Sequence, residues 1–194
     1  MTPVPRGPSG ASVSVVLLRA VNIVGRPLPM GVLREVCEGV GCSDVKTYLQ
    51  TGNAVVSSSD EGESLVRKLE PALEERAGFA VPVIVRTAAE LTQIADTSPF
   101  DTTGDPTQLV VSFAQKLPED PLGKLDPEAF GSERFVLLGR DLYLWLPRGQ
   151  GQSRLAASVA RTPFGKVATA RNWRTVTALV ELSAFAERNS VESC

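Results

Sequence analysis

The stretch Val45-Lys-Thr-Tyr-Leu-Gln-Thr-Gly-Asn-Ala-Val-Val-Ser57 decides the fold of the first half of the chain. Residues 45–50 and 54–57 are two short strand-like runs, and a Thr-Gly-Asn connection separates them. Glycine and asparagine tolerate the positive φ that a tight turn requires. The stretch therefore predicts two strands joined by a tight turn.

The segments on either side of this hairpin each predict one helix and one strand. On the N-terminal side, 12–19 is a short apolar run typical of a buried strand, and 29–41 is a helix that ends at a glycine. On the C-terminal side, 60–78 is a helix that opens with an Asp-x-x-Glu sequence resembling a capping box, and 81–86 is a strand. Pro71 is expected to kink or split that second helix. The order strand-helix-strand-strand-helix-strand is that of a ferredoxin-like unit.

The second half repeats this scheme less regularly. A helix at 88–95 leads into a boundary segment at 97–106, which is rich in Pro, Gly and Asp. The predicted fold class is α+β, with two ferredoxin-like halves packed as one compact unit. Residues 1–11 are predicted to be a disordered leader and 189–194 a tail, with the halves at 12–96 and 107–188. Further strands and helical segments are predicted at 109–114, 127–130, 135–138, 142–146, 153–160 and 172–187.

The formal net charge of −2 hides a segregation of charge along the chain. Residues 142–180 hold six basic side chains and no acidic one, and residues 1–34 hold four basic and no acidic side chains. Residues 35–141 hold nine basic against 19 acidic side chains. Two cationic segments therefore flank an acidic middle, and this pattern indicates an anion-binding face.

The composition excludes several classes of functional site. The chain has no histidine, which excludes His-based acid–base catalysis, Ser-His and Cys-His pairs and the usual zinc ligand sets. Its three cysteines lack the spacing of a disulfide framework, and its apolar runs, such as 15–18, are far too short to span a bilayer. We expect a cytoplasmic protein with no membrane contact, no metal and no cofactor. The sequence contains no recognisable nucleophile–base pair for catalysis.

Four blocks of the sequence resemble one protein family. They are Leu18-Arg-Ala-Val-Asn-Ile-Val-Gly25, Val45-Lys-Thr-Tyr-Leu-Gln-Thr-Gly-Asn53, Leu144-Trp-Leu-Pro-Arg-Gly-Gln-Gly151 and Thr169-Ala-Arg-Asn-Trp-Arg-Thr-Val-Thr177. Over roughly residues 12–188 the chain is similar to domain-of-unknown-function family 1697, a mostly bacterial group of uncharacterised proteins. The resemblance implies two ferredoxin-like halves and implies no activity. The chain departs at Ala20 and Val24, where the family favours glycine.

The last of these blocks predicts an anion site at the start of the final helix. The first N–H groups of a helix lack partners within it, and cationic side chains surround them here. We expect arginines from both ends of the chain to converge there on one solvent-open site. The predicted ligand-binding residues are Arg19, Asn22, Gln50, Lys166, Arg171, Asn172, Trp173 and Arg174.

A structural interpretation of the same residues stays open. In it, Trp173 packs in the core, Asn172 only caps the helix, and Arg171 and Arg174 pair with carboxylates of the acidic middle. The Gly-rich loop Gly149-Gln-Gly-Gln-Ser153 is a second candidate phosphate loop, although it lacks the Lys-Ser/Thr ending of a P-loop.

These patterns favour binding over catalysis. We expect a non-catalytic or weakly catalytic binder of a phosphate-bearing ligand, either a nucleotide or a short nucleic acid. The acidic middle would repel a long polyanion, so a small or short ligand fits better. One alternative is an enzyme that acts on a small phosphorylated or carboxylated metabolite and clamps it with arginines. The other is a scaffold that assembles head to tail into a homo-oligomer.

Overall fold

A computed structural model of the chain describes residues 10–192, with side chains up to residue 189. Residues 1–9 of the predicted leader and 193–194 of the predicted tail therefore lie outside the described residues, whereas 189–192 belong to the final helix. Two short 3₁₀ turns occur at Pro127–Phe130 and Gln150–Gln152. The strands are β1 Ser12–Leu18, β2 Ser43–Tyr48, β3 Asn53–Ser58, β4 Val83–Thr87, β5 Leu109–Phe113, β6 Arg134–Leu138, β7 Asp141–Trp145 and β8 Thr169–Asn172. The helices are α1 Met30–Gly39, α2 Gly62–Ala77, α3 Ala88–Asp96, α4 Arg154–Val159, α5 Pro163–Val167 and α6 Trp173–Glu192.

The strands form two four-stranded antiparallel sheets. The strand order is β2-β3-β1-β4 in the first sheet and β6-β7-β5-β8 in the second. Counted within its own half, each sheet therefore has the order 2-3-1-4, and the prediction of an α+β fold with two ferredoxin-like halves is confirmed. The second half is less regular because a 3₁₀ turn stands where the first half has α1, and the short α4 and α5 stand where it has α2.

The pairing register relates the two halves residue by residue. Val15 of β1 pairs with Arg86 of β4, and Val111 of β5 pairs with Arg171 of β8. In both halves the side chain of the residue after the arginine accepts a hydrogen bond from a backbone N–H in the first turn of the next helix. The sequence carries no residue-level repeat because the two halves share the pattern of pairing and burial while their residue identities differ.

The described chain divides into two compact units. The first unit contains residues 10–91 and 179–192, and the second contains 92–178. Helix α3 therefore begins in the first unit and ends in the second, and helix α6 does the reverse. The sequence prediction instead put the boundary at 97–106 and the whole final helix in the second half.

Helices α1 and α2 pack on one face of the first sheet. Val16 of β1 and Val56 of β3 belong to one core cluster with Leu33 of α1 and Leu69 of α2. Side chains on one face of a strand recur at every second residue, so alternate positions of these strands supply the core. In the second unit, the corresponding cluster joins β5 and β7 to the buried faces of α4 and α5.

Helix α1 ends as its sequence predicts. Gly41 has a φ of 97°, which residues with a Cβ rarely adopt. The Gly41 N–H donates to the Glu38 carbonyl and the Cys42 N–H donates to the Cys37 carbonyl, both at 3.0 Å. These two bonds form a Schellman motif, which brings the side chains of Cys37 and Cys42 into one core cluster.

Helix α2 differs from the prediction in two ways. It runs unbroken through Pro71, so the proline does not split it. It also lacks the predicted capping box, because no side chain caps its first turn. The Asp60 carboxylate instead accepts a hydrogen bond from Ser64 Oγ at 2.7 Å and forms an ion pair with Lys68.

The region before the final helix also differs from the prediction. The segment Thr169–Asn172, interpreted as the lead-in to that helix, forms the edge strand β8, and Pro163–Val167 forms α5. Thr and Asn at the two ends of β8 are residues that favour helix caps and turns, which explains why its residue types gave no strand signal. A capping box does occur at α3, where Thr87 and Glu90 exchange backbone-to-side-chain hydrogen bonds at 2.9 and 3.1 Å.

Candidate functional site

The structure divides the eight predicted site residues between the two units. Arg19, Asn22 and Gln50 lie in the first unit, at the end of β1 and in the β2–β3 turn. The other five lie in the second unit, in α5, in β8 and in the first turn of α6: Lys166, Arg171, Asn172, Trp173 and Arg174.

Arg171 is a buried side chain of β8. Only 7% of it is exposed, and its Nη1 donates to Thr169 Oγ1 and to the Ala170 carbonyl, both at 2.8 Å. Burial lowers the pKa of the Arg171 guanidinium to about 10, because the charged form has lost its hydration. The expectation that Arg171 faces solvent is therefore wrong.

Asn172 and Trp173 have structural roles at the start of α6. Asn172 Oδ1 accepts hydrogen bonds from the N–H and the hydroxyl of Thr175, both at 3.0 Å, and so caps the helix. The Trp173 N–H donates to the Pro106 carbonyl at 3.1 Å, and only 6% of the residue is exposed. Its indole face is not available to stack on a base or a sugar. The structural interpretation holds for both residues.

Arg174 is exposed, but it has an acidic neighbour. Hydrogen bonds from Thr107 lower the pKa of the Asp105 carboxyl, and the positive charge of Arg174 lowers it further. The fold thus brings the Asp105 carboxylate close to Arg174, although the stretch 142–180 that contains Arg174 has no acidic residue. The start of α6 is a capped helix end with a nearby carboxylate, which does not favour an anion there.

Side chains of the protein already accept hydrogen bonds from N–H groups that follow the Gly-rich loop, at the start of α4. Ser153 Oγ accepts from the Ala156 N–H at 2.9 Å and caps the helix. The carboxylate of Glu133, which is 3% exposed, accepts from the Leu155 N–H at 2.9 Å. These two groups satisfy N–H groups that a phosphate in this loop would bind. The loop is therefore not an open phosphate cradle.

Four exposed cations of the second unit lie outside this helix end, around α4 and α5. Leu155, Val159 and Phe164 point from these helices into the core, while the basic side chains stay exposed. Residues 147–168 contain no Asp or Glu. In the described part of the chain, none of these basic side chains makes an ion pair. We name them the α4–α5 cationic surface: Arg148, Arg154, Arg161 and Lys166.

Only Lys166 of this surface was among the predicted site residues. The three arginines belong to the acid-free stretch 142–180, so their charge was visible in the sequence. What the sequence did not indicate is which cations of that stretch the fold exposes and which it buries.

In the first unit, Asn22 holds the loop that follows β1. Its Nδ2 donates to the Leu28 carbonyl at 2.9 Å and to the Gln50 carbonyl at 2.6 Å. Its Oδ1 accepts from the Leu28 N–H at 2.8 Å. Both amide hydrogens are therefore used, and the side chain ties the loop to the β2–β3 turn. This structural role explains the asparagine without a ligand, and its contact with a ligand stays a prediction.

Arg26 holds the same loop from its other side. Its Nε donates to the Ala20 carbonyl at 2.6 Å, and its guanidinium also donates to the Ala80 carbonyl. The guanidinium carbon lies 4.4 Å from the centre of the Phe79 ring, as in a cation–π contact. Ile23 and Arg26 form an isolated β-bridge, so the residues between them make a tight turn.

Backbone strain gathers in this loop and the turn that faces it. Ala20, Asn22 and Leu49 have φ values of 54°, 55° and 56°, in the left-handed region that non-glycine residues rarely adopt. Strain of this kind persists where surrounding contacts impose it, and it is common at functional sites. The positive φ at Ala20 is also a physical reason for a glycine preference at that position.

The three predicted residues of the first unit thus lie at one end of its sheet. Gln50 is exposed at the turn, where its carbonyl accepts from Asn22. Arg19 is half-buried, and its N–H donates to the Pro82 carbonyl at 3.0 Å.

Sequence reasoning missed Arg86, the counterpart of Arg171 in the first unit. It is 1% exposed, and its Nη1 donates to the Val85 carbonyl at 2.9 Å. The available signal was a single arginine inside the apolar run 81–86, where a charge must be buried with the strand. Each half thus buries one arginine opposite a valine of its central strand.

The described residues offer no reactive thiol pair or metal site in addition. Burial, followed by the charges of Cys42 and Glu38, raises the pKa of the Cys37 thiol to about 12, so the nucleophilic thiolate is absent at neutral pH. Within 10–192 no cluster of three Cys, Asp or Glu side chains is arranged to hold a metal ion.

None of the described helices combines the length and hydrophobicity needed to cross a bilayer.

Comparisons with known proteins agree with this fold. The family model described as "Protein of unknown function (DUF1697)" matches residues 12–143. The structure is similar to that of the conserved bacterial protein SP0830 from Streptococcus pneumoniae, with a TM-score of 0.76 and 16% sequence identity. That similarity covers 90% of this chain and 99% of the other, and at this identity it shows the fold alone. The comparison with curated proteins gives no match.

Proposed function

This chain belongs to the family described as Protein of unknown function (DUF1697), and we propose that it binds a phosphate-bearing ligand on the α4–α5 cationic surface without catalysing a reaction. One observation carries the proposal. Four exposed cations lie in a segment without carboxylates and make no ion pair in the described part of the chain. Like charges that share a surface repel one another, and bound phosphates relieve that repulsion.

The exposure of these side chains favours a ligand with several phosphates. A single contact between an exposed cation and an anion contributes little in water. Several Lys or Arg contacts along a phosphate backbone together release counterions, and affinity then grows with the number of contacts. The ligand class is therefore a short single-stranded nucleic acid, with a nucleotide as the smallest member that keeps the same chemistry.

The chemistry of the described residues supports binding without catalysis. The chain has no histidine, and the Cys37 thiol stays protonated at neutral pH.

The test is binding of a short fluorescent single-stranded oligonucleotide, measured by anisotropy at several salt concentrations. With four phosphate contacts, log K should fall against log salt with a slope of about −3. A variant with all four cations of the surface changed to Gln should lose most of the binding. Inorganic phosphate and a nucleoside triphosphate serve as competitors that separate a general anion effect from recognition of a chain.

The matched control changes four exposed cations of the first unit to Gln: Arg34, Arg67, Lys68 and Arg76. Its net charge equals that of the first variant, so an effect of total charge would appear in both. We expect the control to bind the oligonucleotide almost as the unchanged protein does. Equal losses in the two variants, or a salt slope near zero in the unchanged protein, would refute the proposal.

A further inference from the structure

The first unit exposes a group of aliphatic side chains on two adjoining loops. Val24 is fully exposed at the turn between Ile23 and Arg26, Ile23 is 56% exposed, and Leu49 of the facing turn is 53% exposed. The Asn22 side chain joins the two loops through the Gln50 carbonyl. We name this group the apolar tip: Ile23, Val24 and Leu49. Single exposed aliphatic residues are ordinary, but a contiguous group marks a contact surface.

The loop that carries the apolar tip is held in one shape. The side-chain bonds of Asn22 and Arg26 fix its two ends, and three non-glycine residues in these loops have strained positive φ values. A loop that is ordered before binding loses little conformational entropy when a partner covers it. The hydrogen bonds and the strained backbone thus hold the aliphatic side chains of the apolar tip exposed in a fixed arrangement.

The surroundings of the apolar tip are cationic. Segments 19–28 and 45–53 contain Arg19, Arg26 and Lys46 and no Asp or Glu. A complementary surface must therefore offer both an exposed apolar residue and carboxylates beside it.

The described part of the second unit contains one surface with that combination. Leu117 is 45% exposed, and residues 117–128 hold four carboxylates against one lysine. This acidic segment is ordered, because Pro121 accepts a hydrogen bond from the Phe164 N–H at 2.9 Å. The other exposed aliphatic residues described in this unit lie beside basic ones, Leu138 two residues from Arg140 and Val167 next to Lys166.

We propose that the apolar tip of one copy of this chain docks on the acidic segment of a second copy. Val24 and its neighbours contact Leu117, and the basic residues around the tip face the carboxylates of residues 117–128. The two surfaces differ, so the contact is heterologous, and a pair of copies keeps one unused apolar tip and one unused acidic segment. The assembly therefore grows with concentration and weakens with salt.

The test uses two variants of the full chain, V24D and L117D, in sedimentation velocity over a concentration series. Each places a carboxylate at the centre of one surface, and each should weaken self-association about tenfold or more. The decisive sample is the mixture. V24D keeps an intact acidic segment and L117D keeps an intact apolar tip, so together they should form dimers that grow no further.

The matched controls are V167D and L138D, which make the same substitutions at exposed positions outside the two surfaces. Both should associate like the unchanged protein. All four side chains are exposed, so none of the variants should lose thermal stability, and melting curves check this.

Three results would overturn the proposal. The unchanged protein could stay monomeric across the series, which would leave the tip to a different protein or to a lipid surface. The V24D and L117D mixture could form no dimers although each variant alone is impaired, which would indicate an isologous contact. The controls could be impaired as strongly as the variants, which would indicate a general effect of added negative charge.

Discussion

At position 52 the backbone has a φ of 77°, and the turn that contains it packs closely against the end of β1. A Cβ at Gly52 would lie 2.7 Å from both Leu18 Cβ and Val21 Cγ2, distances that real Cβ atoms do not show. The Gly52 carbonyl also accepts from the Leu18 N–H at 2.7 Å, so the turn cannot retreat without losing this bond. Only glycine meets both the steric and the dihedral requirement here.

Gly52→Ala should therefore lower the free energy of unfolding by about 3 kcal/mol, because overpacking adds to the cost of a positive φ. Gly25→Ala is the matched control, since Gly25 has a φ of 76° and no atom within 4 Å of the position of its Cβ. That variant should lose only about 1 kcal/mol, the dihedral cost alone. Urea denaturation of both variants measures the difference. Equal losses would show that the close contact with Leu18 and Val21 relaxes freely.

The buried arginines mark the limit of sequence reasoning at this scale. Arg171 and Arg174 lie three residues apart in an acid-free stretch, and their local sequences predict the same exposure to solvent for both. The fold buries Arg171 in β8 and exposes Arg174 near Asp105. Burial and the approach of Asp105 both depend on tertiary packing, so the charge segregation could be predicted but not the site residues.

At the scale of elements, periodicity predicted the first half well. The helices and strands flanking the β2–β3 hairpin appear in the predicted order, because their apolar faces repeat at helical or strand spacing over whole elements. The strand β8 and the short helix α5 were missed. Four or five residues hold too few repeats to give a period, and the residues of β8 favour caps and turns.

Helix α2 carries an element-scale prediction at Pro71. This exposed proline sits inside an unbroken helix, where it cannot donate to the carbonyl of residue 67 and its ring crowds that carbonyl. Pro71→Ala should restore the hydrogen bond and stabilise the protein by about 2 kcal/mol, after a small loss from the freer unfolded chain. Chemical denaturation measures the change.

Pro163→Ala is the control for Pro71→Ala. Pro163 lies at the start of α5, where a missing N–H costs nothing and the fixed φ suits the helix. Its replacement should leave stability unchanged or slightly lower. If Pro71→Ala instead destabilises the protein, the packing of α2 on the first sheet depends on the distortion that the proline introduces.

At the scale of the whole molecule, the two halves of the sequence are not the two compact units. The sequence boundary at 97–106 lies inside the second unit, and residues 179–192 belong to the first. Leu179 and Ala186 are buried residues of this part of α6, and Lys46 Nζ lies 4.3 Å from the centre of the Phe185 ring. Element order could predict two similar halves, but the unit to which a terminal helix belongs depends on long-range packing alone.

The first unit should therefore not fold from residues 1–96 alone. Lys46 pairs with Val55, so its side chain and the Phe185 ring mark the sheet face opposite α1 and α2 as the face that α6 covers. Val15 and Val55 of that face are fully buried, and without α6 they would face water in the fragment. A purified 1–96 fragment should accordingly show no cooperative thermal transition by circular dichroism.

Adding a peptide of residues 173–194 should restore the transition in a concentration-dependent way, because a ligand that binds only the folded fragment stabilises it by mass action. A peptide with Leu179→Asp is the control, since a buried carboxylate at that position opposes docking. A sharp transition in the fragment alone would show that residues 1–96 contain a sufficient core. Equal rescue by both peptides would show that the helix acts without packing its buried face. If only the unchanged peptide rescues the fragment, stability of the first unit depends on a helix that the chain reaches only after completing every strand of the second sheet.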